Sequence, residues 1–185
     1  APYQWVLKYP ARLNPSNLLA VADENRLYGN LAHRLIERFF RTESAQAFRG
    51  DALKAWFSRQ FDVVVAEEGA VLLMPGRRGD YERLRAVLGR ALEEIQRQFG
   101  AAGVVLVEPE RDLAGKFPGG DLKGQADLVV RNTSGQQAIV DMKWAGANSN
   151  QDRLAKNRHL QLAVYAEMLR QETGALPQVS YFILE

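Results

Sequence analysis

Apolar residues recur at helical spacing from about Leu27 to Arg41, where Leu31, Leu35, Ile36, Phe39 and Phe40 share a face. Asp51 to Gln60 predicts a shorter helix that packs through Leu53, Trp56 and Phe57. Phe61 to Ala66 and Ala70 to Met74 flank Glu67-Glu68-Gly69 and predict a β-hairpin. Pro75 to Gly79 reads as a loop. Asp80 is a candidate N-cap for a helix that runs to about Phe99 and stops at Gly100. Val104 to Glu108 predicts a buried strand, and Pro109 to Gly120 a loop. Two apolar strands follow, Gly124-Gln125-Ala126-Asp127-Leu128-Val129-Val130 and Ala138-Ile139-Val140-Asp141-Met142-Lys143-Trp144. A polar stretch from Gly146 to Asp152 leads to a helix over about Arg153 to Glu172, then a strand from Gln178 to Leu184. That order argues for α/β or α+β with a mixed sheet.

Residues 1–25 read as an irregular arm, with Pro2, Pro10 and Pro15 and a turn or helix-start signal at Asn14-Pro15-Ser16. Residues 26–185 are expected to form one domain, as a length of 185 suggests. The chain begins at Ala1 rather than Met, which suggests a fragment or a processed form. Hydrophobic residues make up 46% of the chain, ample for a core. The formal charge is only +2 although the pI is near 9.0, and most basic residues are Arg. A local basic groove and a mixed solvated surface fit that balance equally well. The absence of Cys excludes disulfides, Cys-ligated zinc and iron–sulfur clusters. With no bilayer-length apolar run and no signal peptide, a soluble cytoplasmic protein is the expectation.

The two strands carry acids that folding does not require. Asn132-Thr133-Ser134-Gly135 supplies turn chemistry between them, and an antiparallel hairpin closed there sets Asp127 across from Asp141 to within about one residue. Lys143, two residues past Asp141, projects from the same face. Two close carboxylates repel, and a divalent cation relieves them. The competing reading puts both acids on a solvated edge with Lys143 as an ion-pair partner.

Other residues divide the same way. On the helix from Arg153, Leu160, Val164, Met168, Leu154, Tyr165, Leu169 and Leu162 predict an apolar arc with Gln161 in its middle. Gln161 is either satisfied by nearby backbone or faces an active site with Tyr165. Arg158 is a surface residue or a phosphate contact. His33 borders the apolar face of its helix, as a boundary residue or a metal ligand. His159 falls on a polar face and reads as unremarkable. Glu108 ends its strand as an exposed acid or as a third carboxylate, with Glu110 as its rival.

Taken in order, Gly29-Asn30-Leu31-Ala32-His33-Arg34-Leu35-Ile36-Glu37, Glu108, Gly124-x-x-Asp127, Asp141-Met142-Lys143 and Gln161-x-x-x-Tyr165 resemble the PD-(D/E)XK nuclease superfamily, most closely its RecB-like branch. The resemblance implies an α/β, restriction-endonuclease-like core, a central mixed β-sheet flanked by helices, over residues 26–185. It implies a metal-dependent deoxyribonuclease with Mg²⁺ or Mn²⁺ as cofactor. Asp127, Asp141, His33 and the Met142 carbonyl would bind the metal. Lys143 would orient or activate water, and Glu108 would help position the metal. Gln161 and Tyr165 would contact substrate, with Arg158 as the phosphate contact. The iron–sulfur cluster of some RecB-like members does not carry over. Single-stranded DNA or duplex ends, exonuclease habit, helicase or other repair and defence partners, and a role in repair, recombination or defence are further implications. The alternatives are a non-catalytic nucleic-acid-binding module of the same fold and a metal-dependent ribonuclease or phosphodiesterase.

Overall fold

A computed structural model describes residues 24–42, 47–144 and 160–184. The expected arm lies outside these residues except for its last two positions. The polar stretch from Gly146, Arg158, His159 and the early turns of the helix expected from Arg153 lie outside them too.

Helix α1 spans Glu24–Arg41 and buries Leu31, Leu35, Ile36 and Phe39, the stripe its periodicity predicts. Helix α2 spans Gly50–Glu68, followed by a 3₁₀ turn over Ala70–Leu73. The expected hairpin at 61–74 is therefore absent. Phe57, Phe61, Val64 and Val65 are buried at helical spacing, and Val63, which a strand would bury with Phe61, is 41% exposed. Tertiary packing overrides the β-preference of the Val63-Val64-Val65 run. Gly69 ends α2 where a Cβ would come within 2.9 Å of Leu31 Cδ1, so its lack of a side chain lets α1 approach. Helix α3 spans Arg78–Ala101. Asp80 is in its first turn rather than at the cap, and it accepts a hydrogen bond from Arg77 at 2.8 Å. Its charge still suits the positive helix end.

Strand β1 spans Val104–Phe117, β2 Gly120–Asn132 and β3 Gln137–Lys143; after helix α4, Leu160–Thr173, comes β4, Gln178–Ile183. The sheet order is β1-β2-β3-β4. The first two pairings are antiparallel and β3–β4 is parallel, so the sheet is mixed. Parallel neighbours need a crossover, and α4 lies in it. The Asn132 turn forms as its chemistry predicts: Asn132 Oδ1 accepts the Ser134 and Gln136 amides, and Gly135 has φ 81°.

The expected loop over Pro109–Gly120 is instead the second half of β1 and the turn into β2. Arg111 pairs with Ala126 and Phe117 with Gly120. Gly115 serves packing rather than turning, since a Cβ there would lie 2.9 Å from Met168 Cγ. Strand β1 is also an edge, with Val107 buried and Val105 51% exposed, not a buried strand.

Helices α1, α2 and α3 cover one face of the sheet in the larger core, with Val107, Leu128, Val130, Val140 and Met142. Helix α4 covers the other face through Leu162, Met168 and Leu169, against Leu113, Ala126, Val129 and Ile139. Burying each large apolar side chain contributes about 1.5–3 kcal/mol. No helix among the described residues is long and apolar enough to cross a membrane.

Candidate metal centre

Along a regular strand, residues an even number apart share a face. The β1–β2 hairpin breaks this rule. Val107 and Val130 pack toward α1–α3, whereas Leu113 and Ala126 pack toward α4. The change of face falls at Glu110, a non-glycine residue with φ 49°, and at Asp127, which the register sets opposite it. Irregularities of this kind re-aim side chains and gather at functional sites. Here the irregularity turns both carboxylates toward α1.

His33 meets them from the rim of α1's buried stripe. Its Nε2 lies 3.2 Å from the Met142 carbonyl, which can only accept, so Nε2 carries the hydrogen. In the neutral ring, Nδ1 then presents a lone pair. It faces Glu110 Oε1 at 3.7 Å and Asp127 Oδ1 at 3.6 Å. One ligand atom from each of His33, Glu110 and Asp127 falls within a 4.8 Å set. Asp127 Oδ2 accepts the Met142 amide at 2.6 Å. The Met142 peptide thus orients two residues of the set. Its carbonyl, the expected metal ligand, also accepts from His33 Nε2.

The charges are under-compensated. Burial pushes the Asp127 carboxyl above the usual range, with Asp141 adding to the effect, while His33, the Met142 amide and Lys143 oppose it. Burial, then Asp127 and Glu37, likewise raise Glu110 against the opposing pull of His33. On β3, continuing the β2–β3 register one step sets Asp141 opposite Asp127. Asp141 is 3% exposed, and Lys143 Nζ lies 2.6 Å from its Oδ2. Oδ2 nonetheless has no hydrogen bond of acceptable direction, so that contact is an off-axis ion pair. Imidazole and oxygen donors and buried carboxylates that resist ionising suit a hard divalent cation.

The other expected residues are distributed as follows. Asp141 stands outside the three-residue set and pairs with Lys143. Glu108 is on the α4 side of β1, bound to Arg111, which also holds Glu172. Glu110, its rival, joins the set because the change of face lies between them. Gln161 is exposed and donates to the Tyr165 hydroxyl at 3.3 Å. It does not lie within an apolar arc, because Leu162, Ala166 and Leu169 carry the burial and Leu160 is 77% exposed. Tyr165 lies over Gly124, where a Cβ would sit 2.5 Å from Cε1. Gly124 stands three positions before Asp127 on β2. Arg158 lies outside the described residues.

An open cleft of about 510 Å³ runs past this centre, between α1 and the end of β3. Arg34 binds Glu37 and Glu68 on its rim, and Arg41 also binds Glu37.

Compared with known proteins, residues 1–184 match the family model of the PD-(D/E)XK nuclease superfamily. No curated protein matches the chain.

Proposed function

The chain belongs to the PD-(D/E)XK nuclease superfamily, and we propose that it is a divalent-metal-dependent deoxyribonuclease that works in the RecB-like manner on single strands or duplex ends. The observation that carries this reading is the convergence of His33 Nδ1, Glu110 and Asp127, beside the Asp141–Lys143 pair.

In this reading His33, Glu110 and Asp127 hold Mg²⁺ or Mn²⁺. Asp141 supplies a further oxygen from β3. A bound ion of this kind acidifies water and neutralises charge on a phosphoryl oxygen. His33 keeps its lone pair aimed at the ion because the Met142 carbonyl holds its other nitrogen. Lys143 orients the attacking water and stabilises the negative charge added to the phosphate, where catalysis gains most. Water oxygen bonds to phosphorus as the bond to the leaving 3′-oxygen breaks, and that oxygen takes up a proton. Asp141 holds the ammonium of Lys143 in place. Gln161 and Tyr165 contact the strand from the β2 side. A cytoplasmic setting and helicase or other repair or defence partners complete the reading.

The test is cleavage of labelled single-stranded DNA, duplex DNA and RNA with Mg²⁺, with Mn²⁺ and with chelator. DNA cleavage that requires metal is expected. Asp127→Ala and Lys143→Ala should each lose it while circular dichroism stays native. Binding without cleavage under every metal would favour a non-catalytic module, and cleavage confined to RNA would favour a ribonuclease.

A further inference from the structure

The charged groups that line the cleft are unevenly matched. Glu37 and Glu68 are held by arginines, Glu110 faces His33, and Lys143 is paired with Asp141. Arg26 also lines the cleft and is exposed, and it makes no ion pair among the described residues. The nearest acid on its own helix, Glu24, is taken by Arg77 at 2.6 Å. At 100° per residue, Arg26, Asn30 and His33 fall within a 60° stripe of α1. Arg26 sits about 10 Å along the axis from His33. Among the described residues that line the cleft, Arg26 is thus the cation without an acidic partner. For a polyanion with one phosphate at the metal centre, the Arg26 guanidinium, unpaired among the described residues, offers paired donors to a further phosphate along α1.

Resting on the nuclease reading, we infer that Arg26, with Asn30 beside it, is a backbone-binding subsite that holds a phosphate of a single-stranded nucleic acid away from the scissile one. It sets the path of the strand through the cleft. Arg26 is a positioning residue and takes no part in the bond-breaking step.

The test is fluorescence anisotropy with a labelled 12-nucleotide single-stranded DNA and chelator present, over a range of salt, for the wild-type protein, Arg26→Gln, Arg26→Lys and the control Arg59→Gln on α2. Arg26→Gln should weaken binding about fivefold to tenfold. It should also reduce the slope of log K against log salt by about 0.7, the loss of one phosphate contact. Arg26→Lys should retain the slope, and Arg59→Gln should match wild type. Equal affinity and slope in Arg26→Gln and wild type, or no binding by wild type, would overturn the inference. Cleavage of the same oligonucleotide by wild type with Mn²⁺ is scored separately. Arg26-dependent binding without cleavage sinks the nuclease reading and leaves the subsite standing. Cleavage with Arg26-independent binding sinks the subsite alone.

Discussion

Asp127 takes the backbone N–H of Met142 on Oδ2, at 2.6 Å, and so keeps Oδ1 free to face His33. One carboxylate thereby ties β2 to β3 and faces His33 in the candidate metal set. These two roles are separable. Asp127→Asn retains an acceptor for the Met142 amide but removes the charge.

The raised carboxyl of Asp127 sets the sign of a pH effect. A group whose folded value is raised stabilises the fold below its unfolded value, near 3.9, and loses that contribution as pH rises through the folded value. Metal-free Asp127→Asn should therefore unfold at a higher temperature than wild type at pH 7, and the gap should close as pH falls to about 4. Saturating Mn²⁺ should reverse the order, since a ligand at a hundredfold over its Kd adds about 2.7 kcal/mol to the form that binds it. Thermal unfolding across pH, with chelator and with Mn²⁺, measures both effects. A less stable metal-free Asp127→Asn at pH 7 would count against the charge argument.

The two glutamates of β1 are expected to behave differently. Glu110→Gln should weaken Mn²⁺ binding at least tenfold. Glu108→Gln should leave Mn²⁺ affinity unchanged and alter stability by no more than about 0.5 kcal/mol, because its partly exposed ion pair with Arg111 is worth little. Calorimetric titration of each variant with Mn²⁺ distinguishes them. An equal loss in both variants would contradict the change of face.

Much of the candidate site's layout is legible in the chain because it depends on short-range geometry. The turn at Asn132 fixes the β2–β3 register, and the register brings Asp127 and Asp141 together. The α1 stripe fixes the border position of His33. Glu110 is less legible, because its placement depends on a backbone angle that reverses strand parity beside Pro109. Local composition also suggested a loop there, where Gly115 in fact makes room for Met168. The Val63-Val64-Val65 run misled in the same way, since its packing partners are distant in sequence. A helix extended from Arg153 puts Gln161 on an apolar arc, whereas the buried residues of α4 define a different stripe.

Gly124 and Tyr165 are expected to act as a unit. A methyl at 124 would force the Tyr165 ring to move, so Gly124→Ala should cost about 1–3 kcal/mol. Adding Tyr165→Ala should return part of that cost, which a double-mutant cycle by urea unfolding would show as coupling. Independent, additive effects would mean the ring is not seated there.

Gln161 is exposed and bonded only weakly to its neighbour, so Gln161→Leu should leave stability within about 0.5 kcal/mol of wild type. Its cleavage rate should fall several-fold. A strongly destabilised variant would restore a structural role for the amide.

Manganese-edge anomalous diffraction from crystals soaked in Mn²⁺ bears most directly on the centre itself. One peak is expected, about 2 Å from His33 Nδ1 and from oxygens of Glu110 and Asp127. A soaked crystal with no manganese among these three groups, or with the metal bound elsewhere, would contradict it.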